Sequence, residues 1–245
     1  MEDRVTLTPR TPHGTRRRMA RDVTVGGVRL GPRPVVVAAG GEADLDALAA
    51  PGGAGIVELR ADLFDTPAPA GVQAALMRLR EGRRPIVFTA RAAAEGGRPM
   101  PEELRAELYR VALPHVAAID VEIASEARVA ELVPAARAAH CTVILSFHDF
   151  TATPPRQALL ALVDRARALG ADLPKLATHT ATLDDLHTLL EVTAAARAEG
   201  VVTLGMGPLG PLSRVVLPAA GSLLTGAAGT GTAPGQLAVA ELAAP

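Results

Sequence analysis

CTVILSFHDFTATPPRQALLALVDRARALGADLPKLATH, residues 141–179, reads as a strand, a helix and a second strand in succession. The run 141–150 is short, apolar and β-branched, which suits a buried strand better than a helix. Residues 155–170 carry their apolar positions at helical spacing and end in Gly170, a helix-stop signal. LPKLATH (173–179) returns to a short apolar run. Two strands joined through a helix lie parallel in one sheet, so this stretch is a βαβ unit.

The same unit recurs outward in both directions. Short strand-like runs stand at VVVAA (35–39), GIVELRAD (55–62), PIVFTAR (85–91), AAIDVEI (117–123), VVTLGMG (201–207) and GSLLTGA (221–227). Ala/Leu/Arg/Glu segments of helical period separate most of them, among them GVQAALMRLREG, PEELRAELYRVAL and ATLDDLHTLLEVTAAARAEG. Strand then helix about eight times over roughly 210 residues is the grammar of an α/β (β/α)8 TIM barrel. No linker-like tract divides the repeat, so residues 22–245 are read as one domain. At its start VTVGGVRLG (23–31) predicts a β-hairpin, with alternating valines around a Gly-Gly turn. Residues 1–21, rich in Arg and without an apolar stretch, predict a disordered tail rather than a signal peptide.

The totals exclude several classes. Hydrophobic residues make up 49% of the chain and aromatic ones 2%, so the core is built from Ala, Val and Leu. A formal charge of −1 argues against nucleic acid as a partner. The lone cysteine, Cys141, leaves no intramolecular disulfide and fits a reducing, cytoplasmic setting. Between Gly200 and Ala240 the only charge is Arg214, yet the prolines and glycines there break any membrane-spanning helix.

Of the 25 Lys and Arg residues, one is lysine: Lys175. Lysine can act as a neutral amine nucleophile where arginine stays charged. Its neighbours Leu173, Leu176 and Ala177 make it a reactive group in an apolar run rather than a solubilising charge. Barrel active sites collect at the C-terminal ends of strands, and here strand after strand ends in charge: Glu58 and Arg60, Arg91, Asp120 and Glu122, His148 and Asp149, Lys175. Such groups are costly in a barrel mouth unless used or paired, so a purely structural ion network is the competing account of Glu58, Arg60 and Glu122. His148 and Lys175 are expected at the ends of neighbouring strands about 5 Å apart. An amine beside an imidazole, with no metal-ligand pattern, points to an imine with a carbonyl substrate, the imidazole moving the proton on the adjacent carbon. Asp149 follows His148 directly and therefore points to the other face.

The series VELRAD, FTARAAAEGG, DVE, SFHDF, PKLA, MG…G…SR and APGQ resembles type I 3-dehydroquinate dehydratase, in order and spacing from about Val35 to Leu242. The resemblance implies conversion of 3-dehydroquinate to 3-dehydroshikimate and water through an imine, with no metal and no organic cofactor. It places the reaction in the shikimate pathway of aromatic amino acid biosynthesis or in quinate breakdown, and a homodimer in the cytoplasm. It implies Lys175 as the imine-forming residue, His148 as general acid/base and Glu95 as the group that orients and tunes that histidine. Glu58, Arg60, Arg91 and Met206 then surround the substrate. Arg214 holds its carboxylate, and Thr232 and Gln236 help close over it. Arg214 also suits a carboxylate unaided, because its fork matches that group.

Two departures stand out against the family pattern. Thr232 replaces the usual Ser before APGQ, and the Phe expected after Thr225 is absent, leaving GAAGTG as a glycine-rich loop. Competing readings are a class I aldolase-like Schiff-base lyase and a non-catalytic sensor of a quinate-type ligand.

Overall fold

The computed structural model describes residues 23–31, 33–50, 52–228 and 237–238. Eight parallel strands form the wall of the barrel: β1 (Val35–Gly40), β2 (Ile56–Arg60), β3 (Ile86–Thr89), β4 (Ala118–Glu122), β5 (Thr142–Asp149), β6 (Leu173–His179), β7 (Val202–Met206) and β8 (Leu224–Ala228). From β1 to β7 each strand pairs with the next in sequence, and β8 returns to β1 with Leu224 opposite Val35. Between β7 and β8 the join is made at the strand starts, where Leu223 N donates to Val201 O and Thr203 N to Ser222 Oγ, both at 3.0 Å. The barrel is therefore nearly closed, as the strand–helix repeat predicts.

Helices cover the outside: α1 (Leu45–Ala49), α2 (Pro69–Arg80), α3 (Glu102–Ala112), α4 (Glu126–Ala138), α5 (Arg156–Ala168), α6 (Leu183–Ala196) and α7 (Gly210–Ala220). Their starts and stops follow local chemistry. Thr182 caps α6 through a capping box, with Asp185 N donating to Thr182 Oγ1 at 3.2 Å and Thr182 N to Asp185 Oδ2 at 2.8 Å. Gly221, at φ 119°, ends α7 in the left-handed conformation that favours glycine. Buried Val and Leu residues on the inward stripes of the helices pack on the outward side chains of the strands.

The barrel interior is filled from the bottom. Its lowest layer takes one apolar residue from every strand: Val37, Ile56, Val87, Ala118, Ile144, Leu173, Val202 and Leu224. The predicted hairpin pairs Thr24–Val25 with Val28–Arg29 and plugs that layer with Val23, Val25 and Leu30. Its turn, Gly26 and Gly27, has φ of 54° and 83°, as a tight primed hairpin turn needs. Full burial of a Val or Leu side chain contributes about 1.5–3 kcal/mol, so this dry floor is a substantial part of the stability. The cavity accordingly lies above this floor, in the upper half of the barrel.

Two expectations are corrected here. Lys175 does not end its strand: it is the third residue of β6, level with Ser146, while His148 is level with Ala177 two residues higher. Gly226, Ala227 and Ala228 are not loop but continue β8, paired with Val37, Ala38 and Ala39. The remainder of the expected loop, together with Thr232, Gln236 and the N-terminal tail 1–21, lies outside the described residues. Beyond it, Leu237–Ala238 runs parallel to the end of β8.

Candidate active site

Strand alternation sends every second side chain inward. Above the apolar floor this turns Glu58, Thr89, Asp120, Ser146 and Lys175 inward on successive strands, followed two residues further along four of those strands by Arg60, Arg91, Glu122 and His148. The cavity they surround is walled on its far side by Leu204, Met206, Arg214 and Gly226. All eight predicted site residues that fall among the described ones therefore line a single cavity: Lys175, His148, Glu95, Glu58, Arg60, Arg91, Met206 and Arg214.

Lys175 is 12% exposed at its side chain, and its Nζ donates to Asp120 Oδ2 at 2.7 Å. The other oxygen, Oδ1, accepts from Arg91 Nη1 at 3.1 Å and from Ser146 Oγ at 2.5 Å. Burial alone would raise the carboxyl's pKa, but the Arg91 guanidinium and Lys175 together outweigh it and hold Asp120 well below the usual carboxylate range. Arg91 Nη1 also donates to Glu122 Oε1 at 3.2 Å and to Ser146 Oγ at 2.7 Å. Asp120 was visible at a strand end in the sequence, but nothing there marks it as the partner of Lys175. That pairing depends on the register across three strands.

His148 is held through Glu95. Glu95 Oε2 accepts from His148 N and lies against His148 Nδ1, both at 2.9 Å. An ionised Glu95 can only accept, so Nδ1 carries the proton and the neutral ring keeps an unprotonated Nε2. Burial first, then Arg91 and Lys175, push the imidazole well below its ordinary range, which keeps it neutral and ready to take a proton. Burial pushes Glu95 in the opposite direction, up to about 7, against the opposing pull of Arg91.

The EGG sequence is what lets Glu95 reach this place. Residues Ala93–Glu95 form one 3₁₀ turn that Gly96 ends at φ 84°, and the Phe150 ring packs directly on Gly96, where any Cβ would collide with it. At Gly97 a Cβ would fall 2.0 Å from Arg91 O, so only glycine permits that turn to close on the strand.

Arg60 makes a fork to Asp62, Nε to Oδ1 at 2.9 Å and Nη2 to Oδ2 at 2.6 Å, and Arg91 N donates to the same Oδ1 at 3.0 Å. Glu58 accepts from Thr89 Oγ1 at 2.7 Å. Asp62 lies in the VELRAD stretch, and the Arg-x-Asp spacing is the signal that could have marked it. Asp149 turns away, accepting from Thr151 N at 2.8 Å and closing the loop after β5, as alternation predicts.

Arg214 differs from the other cavity cations. Its Nε and Nη1 are buried and have no hydrogen-bond partner among the described residues, and the residue is 3% exposed. Burial draws its pKa down to about 10. A buried guanidinium facing a cavity without an acceptor is a site prepared for an anion. Among the described residues no cluster of three or more His, Cys, Asp or Glu side chains could hold a metal ion. No described helix is long and apolar enough to cross a membrane.

A nearly closed parallel barrel with an amine, an imidazole and an anion-seeking guanidinium around one cavity at its C-terminal face is the build of a (β/α)8-barrel enzyme. The chain belongs to the type I 3-dehydroquinase family, whose model matches residues 34–244. A 3-dehydroquinate dehydratase from Klebsiella pneumoniae is 38% identical over 206 residues, covering 78% of this chain and 80% of its own length. One from Methanococcoides burtonii is 34% identical over 225 residues, covering 89% and 95%. Among solved structures, the type I 3-dehydroquinate dehydratase from Clostridium difficile, with covalently modified comenic acid, superposes with a TM-score of 0.84 at 30% identity, covering 91% of this chain and 95% of that one.

Proposed function

We propose that this protein dehydrates 3-dehydroquinate to 3-dehydroshikimate through an imine formed on Lys175. The observation that carries the reading is the placement of the sole lysine, its amine held at 2.7 Å by Asp120 in the cavity that His148 and Arg214 share. Family membership supplies the substrate.

In this reading Arg214 takes the substrate carboxylate, which satisfies the two nitrogens without a partner among the described residues and orients the ring. Glu58, Arg60, Arg91 and Met206 line the remainder of the cavity around the ring hydroxyls. The Lys175 amine adds to the ketone carbon and water leaves, giving an imine. The imine draws electrons from the neighbouring carbon, whose proton His148 Nε2 removes; Glu95 stabilises the imidazolium through Nδ1–H. The resulting enamine expels the β-hydroxyl, which leaves as water with the proton that His148 returns. Hydrolysis of the conjugated imine frees the enone and restores the amine. Thr232 and Gln236 complete the carboxylate end. The reaction uses no metal and no organic cofactor, and it serves either aromatic amino acid biosynthesis or quinate breakdown. The enzyme acts as a cytoplasmic homodimer, with 3-dehydroquinate as its partner and neither nucleic acid nor membrane involved.

Conjugated-enone absorbance tests turnover. Borohydride reduction in the presence of 3-dehydroquinate tests the imine: it should add one ligand mass on the peptide that contains Lys175, and Lys175→Arg should abolish both adduct and product. Full activity of wild type after reduction with substrate would refute the imine.

A further inference from the structure

Arg105 belongs to α3, outside the barrel, and does not line the cavity. It is nevertheless 2% exposed, which arginine rarely is unless fully paired. Its Nε donates to Ala90 O at 3.0 Å, Nη2 to Glu122 Oε2 at 2.7 Å and Nη1 to Glu102 Oε1 at 2.6 Å. One turn along the helix, Tyr109 OH accepts from Ala90 N at 3.2 Å and donates to Asp120 O at 2.6 Å. Two side chains of α3 thus hold both polar groups of the Ala90 backbone, the residue that precedes Arg91.

Charge sign alternates without a break along Lys175, Asp120, Arg91, Glu122, Arg105 and Glu102. Arg91 is shared between two carboxylates, and Arg105 takes the second oxygen of one of them. Without Arg105, Glu122 keeps only Arg91 as a charged partner among the described residues, with Ala92 N donating at 2.8 Å. An undercompensated buried carboxylate is expensive, so Arg91 would be drawn toward Glu122 and away from Asp120. Asp120 is what holds the amine.

We propose that Arg105 is a positioning residue for the reaction: by pinning Glu122 and the Ala90 peptide it fixes Arg91, and through Asp120 it sets how Lys175 meets the substrate. The proposal rests on the dehydratase reading of the cavity. The groups facing Glu122 are Arg91 just after β3, Arg105 and Tyr109 from α3, Asp120 on its own strand and Glu95 from the turn after β3. Those facing His148 are Glu95, Arg60, Arg91, Asp120 and Lys175. Glu122 already favours the protonated form of Glu95, and leaving it undercompensated favours that form further, so the acid limb of the pH profile must move to higher pH.

Wild type is assayed first by enone absorbance and by borohydride trapping. If it forms neither product nor adduct, the dehydratase reading fails and takes this proposal with it; turnover by wild type isolates the Arg105 question. Arg105→Met, which keeps length and removes charge, should lower kcat on the order of tenfold to a hundredfold, with KM changed much less. Its acid limb should shift upward, and Arg105→Lys should recover part of kcat. Adding Glu122→Gln to Arg105→Met removes the undercompensated carboxylate and should return kcat and the acid limb toward wild type. Where Arg105→Met does not fold, Arg105→Lys carries the test, because an amine cannot hold Ala90 O, Glu122 and Glu102 in one fork. Its kcat is then expected below wild type, and kcat and pH profile equal to wild type overturn the proposal. It is also overturned by an unchanged kcat and pH profile in Arg105→Met. A loss that follows melting temperature alone, with the wild-type profile and no rescue by Lys or by Glu122→Gln, overturns it equally.

Discussion

Lys175 Nζ reaches Asp120 Oδ2 at 2.7 Å across the whole width of β5, passing over Ser146, the small residue level with it. Ser146 Oγ donates to the other carboxylate oxygen at 2.5 Å, so the strand between them joins the contact instead of blocking it. The amine is thereby held two residues below His148, with its long stem as the reach into the cavity.

Asp120→Asn removes the charge that both Lys175 and Arg91 face. Breaking a buried pair by neutralising one partner costs about 3–5 kcal/mol, so a clear fall in melting temperature is expected. Turnover should fall further than KM rises, since Arg214 still holds the carboxylate. Because Asp120 is held well below the usual carboxylate range, its stabilising contribution is present above that range and lost only in strong acid. Melting curves carried from pH 7 into strong acid check this. A gap between wild type and variant that is constant above the carboxylate range and closes toward strong acid is expected, whereas coincident curves with equal kcat would show the pair to be inert.

Glu95 gives the pH dependence of catalysis its sign. Its carboxylate is the acceptor for His148 Nδ1–H, so kcat/KM should rise through about pH 7 as Glu95 ionises. Stability runs the other way. A carboxyl whose folded pKa is raised contributes fully below the unfolded value of 4.5 and loses that contribution as pH climbs to about 7. Glu95→Gln should flatten both dependences at once, measured as pH–rate and pH–melting profiles. An inflection near 7 that persists in the variant assigns it to another group.

Arg214 should act on binding. Arg214→Leu leaves the substrate carboxylate without its fork and should raise KM by roughly a hundredfold, from the loss of about 3 kcal/mol in a charged hydrogen bond. The variant also loses a buried guanidinium whose Nε and Nη1 have no partner among the described residues, so it should melt higher than wild type. A lower melting temperature with unchanged KM would place the carboxylate elsewhere.

Gly226 stands where the family pattern suggests a Phe. It faces the cavity at the level of Val37, beside Leu204 and Met206. Inserting a residue after Thr225 would flip the faces of the residues that follow, so the informative change is Gly226→Phe. Burial of one Phe side chain is worth about 1.5–3 kcal/mol, part of which should appear as a KM several-fold lower, with kcat changed less. A raised KM would mean that this wall is already filled.

The barrel and most of its site residues were legible because they depend on local patterns. Alternation within a strand and helical spacing between strands give the (β/α)8 order, and the same alternation aims Glu58, Arg60, Arg91 and His148 inward. The Gly26–Gly27 turn and the EGG turn announce themselves through the only residue type their backbones accept. Lys175 was singled out by its being the one lysine. Arg214 was singled out by its isolation in an otherwise uncharged stretch.

What stayed hidden depends on distances between chain segments far apart in sequence. The two-residue step between Lys175 and His148 comes from the stagger of β6 against β5, which no pattern within either strand encodes. Asp120 as partner of the amine and Arg105 behind Glu122 arise where strands and a helix converge. The hairpin was readable, but its place as plug of the barrel floor was not, since that rests on packing against eight strands at once. The sequence alone determined which groups the chain brings to one barrel mouth, because side-chain direction along a strand is a local geometric rule. Only the tertiary structure decided which of those charges pair with one another and which one, Arg214, is left facing the cavity among the described residues, because buried charges choose partners by through-space distance and not by position in the chain.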